Sequence, residues 1–134
     1  MIGIDSSVVI RYIAKYDERF SLEQAKKAET FIDSLSAECP GFITLISLVE
    51  MVRTLQGGYL VNKGQVIEFI ETLLRSKEVI IENAEVAWQA VRAFTTSDAD
   101  FAACLNERVA YAAGCRYTVS LDFKAARNPG IRSL

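Results

Sequence analysis

Apolar positions along this chain alternate between short unbroken runs and runs spaced three or four residues apart, and each switch marks an element. The chain opens on Ile2-Gly3-Ile4, stops at Asp5, and continues through Ser6-Ser7, residues suited to capping a helix, into VVIRYIAKY. That order predicts strand, turn and helix. From Leu22, the residues Ala25, Ala28, Phe31, Ile32 and Leu35 recur at helical spacing between Lys26, Lys27 and Glu29, which predicts an amphipathic helix. Cys39-Pro40-Gly41 breaks it, Phe42-Ile43 reads as a short strand, and Thr44 to Leu55 reads as a largely buried helix ending at Gly57-Gly58. Lys63 to Arg75 repeats the amphipathic pattern, and Val79-Ile80-Ile81 reads as a buried strand. Ala84 to Phe94 is predicted to be helical up to Thr95-Thr96-Ser97, and a longer helix runs from about Ala99 to Ala113, closed by Gly114. Tyr117 to Leu121 is the next strand, Asn128-Pro129-Gly130 a turn, and Ile131 to Leu134 an edge strand. Strands alternating with helices predict a single α/β domain over residues 1–134, three-layered (α/β/α) around a mainly parallel central sheet.

Composition narrows the chemistry. With 134 residues, 51% of them hydrophobic, the chain can bury a core without metal or disulfide staples. Its longest stretch nearly free of charge, Cys39 to Val52, is interrupted by Pro40 and Glu50 and is too short to cross a bilayer. The opening MIGIDSSVVI has an acid at position 5 and no basic leader, so a cytoplasmic location is expected. Cys39, Cys104 and Cys115 show no CxxC pairing and read as reduced core thiols. Histidine is absent, which removes Ser-His-Asp and Cys-His catalysis and the common zinc sites together. Chemistry falls to carboxylates. The formal net charge of -2 is unevenly placed: residues 1–99 hold 14 acids and 10 bases, residues 100–134 hold 3 acids and 5 bases.

Ligand sites in parallel sheets lie beyond the carboxyl ends of the strands. Asp5 follows IGI and Asp122 follows YTVSL, each in that position. Either acid alone is also explained by hydrogen bonds to the free N–H groups of a following helix. Glu50 is the only charge between Glu38 and Arg53, among mostly apolar neighbours, so burial and a partner are expected for it: a metal, an arginine or a water network. A local pair with Arg53 or Thr54 is the alternative. Ser97-Asp98-Ala99-Asp100 matches the spacing of a helix capping box, which would account for Asp100 without further function. No glycine-rich phosphate loop is present, since Gly57-Gly58 lacks the following Lys-Ser/Thr.

These residues resemble the PIN domain, and within it the VapC-type toxins of bacterial toxin–antitoxin pairs. The similarity spans MIGIDSSVVIRYI, ISLVEMVRTL and DADFAACLNERVAYAAGCRYTVSLDFKAARNPGIRSL. It implies that Asp5, Glu50 and Asp122 stand at the first, second and fourth catalytic acids, with Ser7 as the small polar residue that orients the metal site. One departure stands out. The family's third acid usually lies where this chain has Ala103, and Asp100 is the acid retained one helical turn earlier.

The resemblance implies a metal-dependent endoribonuclease holding Mg²⁺ or Mn²⁺ on Asp5, Glu50, Asp100 and Asp122. Arg11, Arg53, Lys124 and Arg127, which follow the acid-bearing motifs, would hold the RNA backbone beside Ser7. It further implies a homodimer and a small antitoxin protein whose C-terminal part fills a groove near the active site. Two other classes stay open: a catalytically inactive RNA- or antitoxin-binding module, favoured by Ala103, and a phosphoacceptor receiver domain, disfavoured because Asp5 has no acidic neighbour.

Overall fold

Each apolar run is short, so each strand is short, and every strand pair is parallel. A computed structural model describes all of residues 1–134, which form two compact units, Met1–Glu82 and Asn83–Leu134. Both are α/β.

The first unit contains strands β1 (Ile2–Gly3), β2 (Gly41–Ile43) and β3 (Val79–Ile81) in the sheet order β1-β2-β3. Ile2 stands opposite Gly41, and Gly41 to Ile43 pair with Val79 to Ile81. Helices α1 (Ser6–Ile13) and α2 (Leu22–Asp33) connect β1 to β2, and α3 (Leu45–Gly58) and α4 (Lys63–Arg75) connect β2 to β3. Helical crossovers of this kind are what parallel neighbours require. Ile43, Leu48, Met51, Val66 and Ile70 are fully buried, each contributing about 1.5–3 kcal/mol. Local hydrogen bonds fix where helices start: Thr44 Oγ1 accepts the Ser47 amide, and Asn62 and Gln65 form a reciprocal capping box that sets the start of α4.

The second unit comprises α5 (Ala84–Thr96), α6 (Phe101–Ala112), β4 (Thr118–Ser120), a 3-10 turn (Ala125–Arg127) and β5 (Ile131–Ser133). β4 and β5 pair in parallel, Thr118 opposite Ile131. Phe94 and Phe101 meet edge to face at 5.8 Å, joining α5 to α6. Gly114, at φ +102°, ends α6 in a conformation that side chains with a Cβ rarely adopt. Gly130 is a second constrained position, because a Cβ there would overlap the buried Glu107 carboxylate that grips Arg108 through two hydrogen bonds of 2.6 and 2.7 Å.

Three expectations are corrected. Of the three thiols only Cys104 is buried, whereas Cys39 and Cys115 are exposed, both lying outside the helices and strands. β3 is only partly buried: Ile81 is inside but Ile80 faces out, as the two-residue period of a strand dictates. Glu50 is exposed. The buried stripe of α3 is Ser47, Leu48, Met51, Val52 and Leu55, and Glu50 shares the opposite face with Ile46, itself 73% exposed. Apolar neighbours in sequence had stood in for burial.

No helix is long and apolar enough to cross a membrane.

Candidate functional site

Asp5 closes β1 and opens α1. Its Oδ2 accepts the Ser7 amide at 3.0 Å and the Ser7 hydroxyl at 2.5 Å, making Asp5, not Ser6 or Ser7, the N-cap. The Ser7 hydroxyl, then the Ser7 amide, hold the Asp5 carboxyl below the usual carboxylate range. The acid remains exposed.

Glu50 reaches the same helix end from α3. Ser6 Oγ donates to Glu50 Oε2 at 2.8 Å, a contact spanning 44 positions of sequence. Adjacent serines in the first turn of α1 thus each hold one carboxylate, and the pair forms at the carboxyl end of β1. Glu50 bonds to Ser6 rather than to Arg53 or Thr54, which are exposed on α3. Arg11, in the last turn of α1, is buried and donates from Nη1 to the Ala14 carbonyl at 3.3 Å.

Sequence reading missed Glu82. It follows β3 as Asp5 follows β1, and its Oε1 accepts the Leu45 amide at 2.9 Å, satisfying a free N–H at the start of α3. The signal was present, an acid directly after Val79-Ile80-Ile81.

In the second unit, Asp100 is the N-cap of α6, its Oδ1 accepting the Ala103 amide at 2.7 Å. The expected capping box does not form: Ser97 Oγ instead accepts the Ala99 amide, because α6 begins three residues later than the spacing suggested, with Asp100 and not Ser97 as its N-cap. Asp122 lies just past β4, its amide donating to Ser120 Oγ at 3.0 Å and its Oδ1 accepting the Lys124 amide at 2.9 Å. Lys124 is exposed. Arg127 is paired with Asp98 at 2.9 Å, with both side chains mostly in solvent.

Neither unit by itself gathers three or more Cys, Asp or Glu side chains able to hold a metal. The first unit supplies two carboxylates and two hydroxyls, a hard-oxygen set at one exposed spot. Magnesium and manganese suit such donors, since a hydrated ion needs only one or two carboxylates and keeps several waters. The donor chemistry of these residues is compatible with the ion that the resemblance implies.

No family model matches the chain, and neither a curated protein nor a solved structure matches it significantly.

Proposed function

We propose that this chain is a metal-dependent endoribonuclease of the PIN type, acting as the toxin of a VapBC-type toxin–antitoxin pair. The observation that carries the reading is the joining of Asp5 and Glu50, remote in sequence, at the head of α1 through Ser6 and Ser7. Asp5 and Glu50 are the residues that would hold Mg²⁺ or Mn²⁺; the resemblance implies catalytic acids at Asp100 and Asp122 as well. Bound there, the ion supplies Lewis acidity at the scissile phosphate. Ser7 would orient Asp5 for that role, and Ser6 would orient Glu50. Arg11, Arg53, Lys124 and Arg127 are the candidate contacts for the RNA backbone, where cations offset the repulsion between acids and phosphate. A homodimer and a small antitoxin protein are the proposed partners.

The test is cleavage of RNA by purified protein with Mg²⁺ or Mn²⁺ and with chelator. Cleavage should require the metal, and Asp5→Asn or Glu50→Gln should abolish it. Ser6→Ala removes the group that orients Glu50 but favours the helix, so metal affinity or cleavage should fall by about 10–100-fold with the fold intact. Millimolar Mg²⁺ should raise the melting temperature of the natural chain by about 2–6 °C and that of Asp5→Asn by less. Cleavage unaffected by either acid substitution would falsify the assignment.

A second reading, an inactive binding module, is favoured by Ala103 and by the engagement of Asp100 as a helix cap. It predicts RNA binding without cleavage at any metal concentration.

A further inference from the structure

A cavity of about 660 Å³ lies in the first unit, lined from α1, α2, the end of α3 and the loop between α1 and α2. That is the size of sites that take small molecules, roughly 300–1,000 Å³. Its lining includes Arg11, Arg19 and Lys27 and no acidic residue. Arg19 is engaged by Asp17, and Lys27 pairs at 3.3 Å with Glu23 on the exposed face of α2.

Arg11 is the telling group. It is 8% exposed and has no carboxylate partner: its one hydrogen bond goes to the Ala14 carbonyl, and its guanidinium lies 3.9 Å from the centre of the Phe20 ring. Buried arginines are ordinarily paired, because stripping a cation of water is costly unless a counter-charge replaces it. No sealed side-chain nitrogen or oxygen lacks a hydrogen-bond partner, so the Arg11 nitrogens not bonded to Ala14 are not sealed off, and Arg11 is one of the residues that line the cavity. Its guanidinium is a planar fork of the kind that matches phosphate oxygens.

The rest of the wall suits a flat ring. Phe20 and Tyr59 line the cavity, with Arg19 lying 6.0 and 5.4 Å from their respective ring centres. Aromatic faces beside arginine are the usual platform for unpaired nucleobases. Gln24 and Thr54 add polar groups able to meet a base edge. At one end the cavity reaches Ser6 and Ser7, the serines that hold Glu50 and Asp5.

We propose that this cavity is a nucleotide subsite, taking one nucleotide of single-stranded RNA, with phosphate on Arg11 and base against Phe20 and Tyr59, adjacent to the carboxylate pair. The placement beside a cleavage site rests on the ribonuclease reading above. A peptide would need only the cations, whereas two aromatic rings in the lining favour a base.

The experiment titrates the four nucleoside 5′-monophosphates, and inorganic phosphate separately, into the metal-free full chain in chelator, followed by amide chemical shifts. At least one nucleotide should bind about tenfold or more tightly than phosphate, the increment of one base stacked on an aromatic side chain. Phe20→Leu should erase that preference, and Arg11→Met should weaken nucleotide and phosphate alike by about tenfold. Should Arg11→Met fail to fold, Thr54→Glu, at an exposed position on the rim, should weaken the nucleotide by placing an anion there. Absence of nucleotide binding to the natural chain overturns the subsite, even if that chain cleaves RNA. Equal binding of nucleotide and phosphate, or binding indifferent to Phe20→Leu and Thr54→Glu, overturns it as well. A glutamate-rich peptide that binds more tightly than every nucleotide and responds to the same substitutions reassigns the cavity to a protein partner. Nucleotide binding by a chain that cleaves no RNA upholds the subsite and overturns the ribonuclease.

Discussion

Asp17 accepts hydrogen bonds from the Arg19 amide, from Arg19 Nε and Nη2, and from the Tyr59 hydroxyl at 2.7 Å. Arg19, then Tyr59, hold its carboxyl far below the usual carboxylate range. A carboxyl whose folded pKa is depressed adds stability that is present above its unfolded value and disappears as the pH falls toward the folded one. Asp17→Asn should therefore lower the urea midpoint at about pH 7, and the gap to the natural chain should narrow steadily below about pH 4. A gap that stays constant on acidification would show that Asp17 acts through shape rather than charge. The same substitution frees Arg19 and Tyr59, so the wall they share should loosen with it.

At the scale of elements, substitutions at the start of α6 test its cap and the proposed catalysis separately. Asp100→Ala should cost about 1 kcal/mol through loss of the cap, and Asp100→Ser, which still caps, should restore most of it. If Asp100 also serves the reaction, Asp100→Ser lowers RNA cleavage while keeping the melting temperature. Ala103→Asp puts an acid in the first helical turn, where the helix dipole favours it by about 0.3–1 kcal/mol against repulsion from Asp100. It should fold and, on the ribonuclease proposal, cleave RNA faster than the unsubstituted chain. Cleavage that falls with Asp100→Ser and does not rise with Ala103→Asp would make Asp100 the third acid already. The limits of α4 and β3 were legible because local chemistry sets them: Asn62 and Gln65 cap the helix, Arg75 is its last residue, and Val79-Ile80-Ile81 is bounded by polar residues. Asp5 and Glu50 were legible as candidates from strand position and from isolation among apolar residues. Their link through Ser6 was not, because it depends on how α1 and α3 pack. Nor was the wall formed by Arg19, Phe20 and Tyr59, whose members come together only in three dimensions. The exposure of Glu50 was misread because Ile46, one turn away, is apolar yet faces solvent.

For the whole molecule, the charge balance sets the terms of any RNA contact. With a net charge of -2 there is no general attraction to a polyanion, so binding should rest on a few cations and weaken with salt by a shallow slope. The three cysteines offer a second whole-chain readout. Cys39 lies in the first unit, Cys115 in the second, both exposed, and Cys104 is buried within hydrogen-bonding distance of the Asn128 side chain, 3.6 Å away. A thiol reagent should count two fast sites in the native protein and the third only on unfolding; three fast sites would mean that α6 opens readily. The natural sequence thus comes with one addressable sulfur per unit. Spectroscopic labels on that pair turn the chain into its own ruler, and the separation they report can be followed as metal and RNA are added in turn, with no engineered residue to disturb the answer.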